Sequence, residues 1–433
     1  MKTEAADPLA GRRLLVAVSG SIAAVKTPVL VSALVKAGAE VRCLVTPSAA
    51  RLVSPVALAS LSRNRCYQDQ DQWEARAPRP LHVELAEWAE LVIVAPLSAS
   101  SLARWTQGLG EGLLASMLLA CERPVIAAAA MNTAMWSHQA VRRNWLLLRS
   151  YSKVLSLGPE AGLLACDRFG DGRMASPELI CLASASLLLQ LDERGEVKQD
   201  WHGRRLLVTA GPTVEGIDAA RLITNRSSGR MGVLLAQAAR FRGAHVDLVH
   251  GPLQLPDAWL EGLTTHAVKS SEEMQSKLIS LHLSVDAIAM AAAVADLRHR
   301  GLDQNIKPDK QTLLASLTQG WEPVPDLLAE LVAKRPSGQK LLGFAALTGD
   351  DQTILQRAER KRLDKGCDLL MANPIDRDAE GFDAQVNGGW LIGEGGMVRR
   401  LPVVAKLALA HQLLDSLLEL NPSVCFAPDQ EDP

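Results

Sequence analysis

Two short stretches of this chain carry the hydroxyls, amides and glycines that hold a charged or heterocyclic ligand. One is Ser19-Gly20-Ser21, at the end of an apolar run. The other is Thr224-Asn225-Arg226-Ser227-Ser228-Gly229-Arg230-Met231-Gly232, which stands directly before an apolar helical pattern. Successive hydroxyls and glycines at a helix start leave backbone N–H groups unpaired, and those groups favour an anion. A simple helix cap needs one Ser or Asn. This segment supplies Asn225, Ser227 and Ser228 together with Gly229. Asp296 ends Ala291–Asp296 past another apolar run. Lys361 and Lys365 are four apart, so they share a helix face and suit phosphates; a solvated basic face is the ordinary alternative.

In open α/β sheets, ligands sit beyond the carboxyl ends of the strands. In the first half those ends supply Ser19-Gly20-Ser21, Thr46, Pro96-Leu97-Ser98 and Met131-Asn132. Such residues suit a phosphate and a flat heterocycle. The first turn is not G-x-G-x-x-G, and the second strand ends in Thr46 rather than in an acid. A dinucleotide is therefore disfavoured, and a mononucleotide such as FMN fits better. Plain turn chemistry is the competing account. A lone histidine such as His82, after a polar stretch, is more often a cap or surface residue than a catalyst. Cys166 lies in a Gly-rich stretch ending Gly170-Asp171-Gly172-Arg173-Met174. It reads equally as a small buried hydrophobe or as a flap thiol that donates a proton.

The elements that position these groups come from a repeated phrase. Gly11-Arg12-Arg13-Leu14-Leu15-Val16 and Gly203-Arg204-Arg205-Leu206-Leu207-Val208 are identical hexapeptides. Each is followed by a Gly-containing turn and a second strand after Gly38-Ala39 or Gly243-Ala244. Two strand–turn–helix–strand units predict two nucleotide-fold domains. The first reads as strand Leu14–Val18, helix Ile22–Lys36 and strand Val41–Val45, with continuous buried strands at Leu91–Val94 and Val125–Ala129. Polar Asn64–Pro80 reads as a mobile loop. In the second, strands are expected at Leu206–Thr209, Val246–Val249, Asp286–Ala289, Leu341–Phe344 and Asp368–Met371. Arg298–Gly320 reads as a loop that orders on ligand binding. Charged Leu191–His202 is the expected linker between domains 1–190 and 203–433, and the tail after Pro422 is expected to fray.

A chain of 433 residues with 48% hydrophobic and 22% charged content excludes a disordered protein. A formal net charge of -2 gives no electrostatic footprint for nucleic acid or an anionic membrane. The seven cysteines are scattered, with no zinc spacing, which fits a reduced cytoplasmic setting. Met1–Ala10 lacks the apolar core of a secretory signal, and no apolar run is long enough to span a bilayer.

At these residues the sequence resembles the bifunctional phosphopantothenoylcysteine decarboxylase/phosphopantothenate–cysteine ligases of coenzyme A biosynthesis, over nearly the whole chain. The ligase side rests on Thr224–Gly232, Gly211-Pro212-Thr213 and Ala291–Asp296; the decarboxylase side on Ser19–Ala24, His82–Leu85, Met131-Asn132 and Cys166 with Gly172-Arg173-Met174. The resemblance implies a flavodoxin-like flavoprotein domain with a parallel sheet, followed by a Rossmann-like α/β ligase domain. It implies FMN held around Ser19, Gly20, Ser21, Thr46, Ser98 and Met131. Asn132 would orient a carboxylate, His82 assist proton and electron movement, and Cys166 protonate the product. In the ligase half, Asn225 would hold an acyl-cytidylate formed from 4′-phosphopantothenate and CTP with Mg²⁺, before cysteine displaces CMP. Asp296 and the backbone at Met290, Ala291 and Ala292 would hold the nucleotide. Pro325, Asp326, Leu327, Leu328 and Phe344 would line the same pocket, and Lys361 and Lys365 would bind phosphates. Partners would be small molecules and further copies of the chain, as trimers of the flavin domain and dimers of the ligase domain.

Several positions depart from the family pattern. Ala129 replaces a proline, Ser98 and Ser100 replace the usual flavin-side residues, and Gly110-Glu111-Gly112 replaces an Ala-Asn-Asp-like segment. Asn305 stands where the first lysine of a Lys-Ile-Lys-Lys loop belongs, with Lys307 nearby, and Leu347 stands where the family has glutamate. Two alternatives follow: a decarboxylase with an impaired ligase half, and a flavin-binding regulatory or scaffold protein.

Overall fold

The computed structural model describes residues 7–74, 79–164, 167, 169–191, 195–300, 303, 305–377, 381 and 384–420. The chain divides into two compact units. One runs up to Asp200 and includes Pro256–Gly262; the other comprises Trp201–Leu255 and the chain from Leu263 on.

The N-terminal unit is built on six strands: β1 (Arg13–Val18), β2 (Glu40–Val45), β3 (Cys66–Gln68), β4 (Leu91–Leu97), β5 (Val125–Ala129) and β6 (Val154–Leu157). Their order is β3-β2-β1-β4-β5-β6, and every pairing is parallel. β4 and β5 are buried at every residue, which is why they are continuously apolar rather than alternating. A hairpin of β7 (Glu160–Leu163) and β8 (Phe169–Arg173) stands apart from this sheet.

The C-terminal unit repeats the order around the second copy of the hexapeptide. Its strands are β9 (Arg205–Ala210), β10 (Val214–Gly216), β11 (Leu222–Thr224), β12 (His245–His250), β13 (Thr264–Ala267) and β14 (Ala287–Met290). They continue with β15 (Leu297–His299), β16 (Trp321–Pro323), β17 (Lys340–Leu347), β18 (Leu369–Pro374), β19 (Val386–Gly393) and β20 (Val398–Ala405). The main sheet runs β13-β12-β9-β14-β17-β18-β19-β20, parallel up to β18 and antiparallel beyond it. β10–β11 and β15–β16 are separate antiparallel pairs. β1 and β9, which carry the repeated phrase, thus occupy the same central place in the two sheets, where strand order reverses and a crevice opens.

Three expectations change. The helix read as Ile22–Lys36 is a 3₁₀ segment, Ile22–Lys26, followed by an α-helix, Thr27–Lys36. Pro28 lacks an N–H and fits only the first turn of a helix, so the α-helix starts there. Asn64–Pro80, read as a mobile loop, contains the edge strand β3 and a 3₁₀ turn, Asp69–Trp73. Its polar residues are anchors: Asn64 Nδ2 donates to Val41 O at 2.9 Å, and Asp69 Oδ1 accepts from Leu113 N at 3.3 Å. Arg298–Gly320 includes the helix Lys310–Leu317, because Asp309 accepts from both Gln311 N and Thr312 N and caps it.

Among the described residues the C-terminal unit begins at Trp201, which is 2% exposed and whose backbone N–H donates to Arg242 O at 3.1 Å. Cys43 and Cys66 oppose each other across β2 and β3, and burial pushes both thiols up to about 12. Such thiols are inert at neutral pH. Among the described residues, no helix is long and apolar enough to cross a membrane.

Candidate active sites

At the β1/β4 switch point a cavity of about 400 Å³ opens. Gly20, Ser21, Ser98, Met131 and Asn132 line it together. The remaining wall is largely apolar, with Ile22, Val25, Met135, Leu163, Leu164 and Met174. Ser21 caps the Ile22–Lys26 turn by accepting from Ala23 N, Ser98 caps the helix Ala99–Thr106, and Asn132 Oδ1 accepts from Ala134 N at 2.9 Å. The backbone closes tightly here. A β-carbon on Gly20 would lie 2.5 Å from Ser48 Cβ, so that turn admits only glycine without rearrangement.

Not every residue expected here meets the cavity. Ser19 is fully buried, and its hydroxyl donates to Pro96 O and accepts from Ser98 N, both at 2.7 Å. It staples two strand ends and sets the Ser98 turn. Thr46 accepts from Ala49 N and is a turn cap. His82 is half-buried on the helix Leu81–Trp88 and is not part of the lining. Cys166 lies outside the described residues. The apolar wall was not legible in the sequence because its residues are dispersed from position 22 to 174.

The second pocket, about 450 Å³, lies beyond the carboxyl ends of β14, β17 and β18. Asn225, Met290, Ala291, Ala292, Asp296, Pro325, Asp326, Leu327, Leu328, Phe344, Lys361 and Lys365 all line it. The helix Arg230–Phe241 starts here after Gly229, which adopts φ +78° and carries no side-chain cap. Ser227 Oγ accepts from Gly229 N at 3.4 Å, and Gly229 itself, lacking a side chain, leaves this helix start without the usual N-cap oxygen. Ser227, Ser228 and Gly229 form its rim.

The opposite rim is braced by threonines. Thr209 Oγ1 accepts from Ala292 N at 3.0 Å, and Thr213 Oγ1 accepts from Ala295 N at 2.9 Å. Asn225 Nδ2 donates to Ala293 O and Val294 O at 3.2 and 3.0 Å, which fixes its carboxamide across the crevice. Lys365 Nζ lies 2.7 Å from Asp326 Oδ2. Burial opposes ionisation of Asp326, but that lysine and the Ala329 N–H hold its carboxyl below the usual carboxylate range.

The motif reading missed Asn373, Gly381, Asn387 and Lys406, which also line the pocket. Only the Asn373-Pro374 step after a strand hinted at one of them. Asn305 is exposed, bonds Asp303 and does not line the pocket; Leu347 is buried opposite Pro374. Among the described residues, no three His, Cys, Asp or Glu side chains gather as a metal site.

Comparison with known proteins divides the chain the same way. The family described as "Flavoprotein" matches residues 2–188, and "DNA/pantothenate metabolism flavoprotein C-terminal domain" matches 201–420. The coenzyme A biosynthesis bifunctional protein CoaBC of Bacillus subtilis is 35% identical over 415 residues, covering 95% of this chain and 98% of the relative. That of Vibrio cholerae is 36% identical over 417 residues, covering 95% and 99%. A crystal structure of the C-terminal domain of a CoaBC protein is 29% identical, with a TM-score of 0.41, and covers 52% of this chain and 98% of that one. The chain belongs to the family of bifunctional coenzyme A biosynthesis proteins, in which a flavoprotein decarboxylase half precedes a ligase half.

Proposed function

We propose that the two pockets divide the conversion of 4′-phosphopantothenate to 4′-phosphopantetheine, the C-terminal one using CTP and the N-terminal one using FMN. The observation that carries this reading is the contrast in character of two pockets at equivalent places: one apolar with short capped turns, one polar with an open helix N-terminus and lysines.

In the ligase pocket, the carboxylate of 4′-phosphopantothenate attacks the α-phosphate of CTP, giving an acyl-cytidylate and pyrophosphate. The amine of cysteine then displaces CMP. The open first turn of Arg230–Phe241, with Lys361 and Lys365, takes phosphate charge. The turn that Thr209 and Thr213 brace holds the nucleotide beside Asp296 and Phe344. Asn225, which lines the pocket with its carboxamide tied to the Ala293–Val294 backbone, holds the acyl intermediate. A Mg²⁺ ion bound with the triphosphate would neutralise its charge, and Asp296 and Asp326 are the carboxylates lining the pocket.

The N-terminal cavity fits FMN: its apolar wall suits a flat ring, and the turn after Gly20 suits a phosphate. When bound, the flavin supplies two-electron oxidation of the substrate's cysteinyl moiety and returns those electrons after CO₂ leaves. Asn132 orients the departing carboxylate. Cys166 delivers a proton to the product carbon from the segment between β7 and β8. His82 lies outside its own chain's cavity, so we assign its proton-handling role to a homo-oligomer in which another copy presents it. A cytoplasmic setting accords with this metabolic role.

A coupled assay with CTP, cysteine, Mg²⁺ and 4′-phosphopantothenate tests the whole sequence: pyrophosphate release followed by CO₂ is expected. A decarboxylase-only reading is favoured by Asn305, which leaves the loop before Lys307 without its expected cation. CO₂ from phosphopantothenoylcysteine with no pyrophosphate from 4′-phosphopantothenate would establish that reading instead.

A further inference from the structure

The ligase pocket has one wall that the nucleotide assignment does not explain. It is made by Gly381, between β18 and β19, by Asn387 at the start of β19, and by Lys406 at the start of the helix Lys406–Glu419. Lys406 is 3% exposed, rare for a lysine, yet it lines the pocket. Its Nζ donates to Gly381 O at 3.0 Å, and its backbone N donates to Gln385 O at 3.2 Å. One residue therefore grips this segment at two points four residues apart.

Two further ties come from the pocket itself. The Arg230 guanidinium, in the first turn of the open helix, bonds Gln385 Oε1. Asn373, at the end of β18, donates from Nδ2 to Gly388 O at 3.0 Å. The segment is thus held by β18, by the helix whose N-terminus faces the ligand, and by Lys406.

We propose that Lys406 is a positioning residue for nucleotide binding. It turns the Gly381 carbonyl onto its own ammonium and seats Gln385 against Arg230. The physical reason is electrostatic. A carbonyl oxygen facing a triphosphate repels it, whereas the same oxygen bound to the Lys406 ammonium is turned away from it. By fixing Gln385, Lys406 also sets where the Arg230 side chain stands relative to the open helix turn. The proposal rests on the reading of this pocket as the CTP site.

The test uses the full-length chain, with its own flavin-dependent turnover as the internal measure of integrity. For Lys406→Met, the KM for CTP is expected to rise at least about tenfold, with the KM for cysteine and CO₂ release from phosphopantothenoylcysteine unchanged. An unchanged KM for CTP overturns the proposal. So does a uniform loss in which all substrate parameters and the thermal midpoint fall together. If Lys406→Met does not fold, Gln385→Ala decides: it removes only the tie to Arg230, and a severalfold rise in the KM for CTP alone is expected. Parent enzyme that makes no pyrophosphate would strike the ligase reading rather than this inference.

Discussion

β1 and β9 begin with the same residues and stand at the same place in two sheets of the same order, but the turns after them treat backbone N–H groups in opposite ways. In the N-terminal unit, Ser21, Ser98 and Asn132 commit their side-chain oxygens to Ala23, Ser101 and Ala134 and close off short helical segments. In the C-terminal unit, the 12-residue helix Arg230–Phe241 has no side-chain cap, and the hydroxyls of Thr209 and Thr213 brace amides across the crevice instead. A capped turn has little appetite for more negative charge, whereas an open one retains donors and a positive dipole end. One scaffold therefore builds a largely apolar cavity in one half and, in the other, a polar one beside a helix start without a side-chain cap.

Closing the open turn should have the largest effect on that contrast. Gly229→Val places a β-branched residue at φ +78° and puts its Cβ 2.2 Å from Leu253 Cδ2. The strain, about 1–3 kcal/mol, must be relieved by moving the turn. Pyrophosphate release should fall by at least about tenfold, while CO₂ release from phosphopantothenoylcysteine persists. Equal loss of both would show that the two pockets are not independent.

Ser19→Ala attacks the other side. It strands Ser98 N in a buried site, at a cost of about 1–3 kcal/mol, while Pro96 O keeps the backbone N–H of residue 19. Denaturant midpoints followed by flavin fluorescence should drop, with pyrophosphate release retained.

A change of solvent sharpens the comparison without mutation. Raising ionic strength from about 0.01 to about 0.15 M shortens the screening length from about 30 to about 8 Å. The KM for CTP should rise severalfold and flavin affinity change much less. Equal salt dependence would contradict the assignment of polar and apolar pockets.

Ser21→Ala should matter least. Its contact with Ala23 N is long, 3.5 Å, and loss of an N-cap of this kind costs about 1 kcal/mol or less. Flavin retention on gel filtration should be only slightly reduced.

Much of the ligase pocket could be read from the chain, because its residues sit in compact runs, Thr224–Gly232, Met290–Asp296 and Pro325–Leu328, each at a strand end or helix start. The flavin-side cavity was less legible. Ser19 and Thr46 stand at strand ends like their neighbours but turn their hydroxyls into the protein. Polarity at a strand end signals a site only if the side chain lacks an internal partner, and partners separated by 77 residues, as for Ser19 and Pro96, are set by strand order.

The order of apolar runs and glycine turns determined, without further help, that there are two α/β units, where their central strands lie and which ends carry chemistry. Hydrophobic burial and turn stereochemistry are local, and they are written in the period of the residues. Only the folded chain decided that Lys406 reaches a pocket built around position 230, that Cys66 belongs to a sheet edge, and that Trp201 belongs with the second unit. Each of those outcomes depends on contacts between segments far apart in sequence, and such contacts exist only once the sheets have set their strand order.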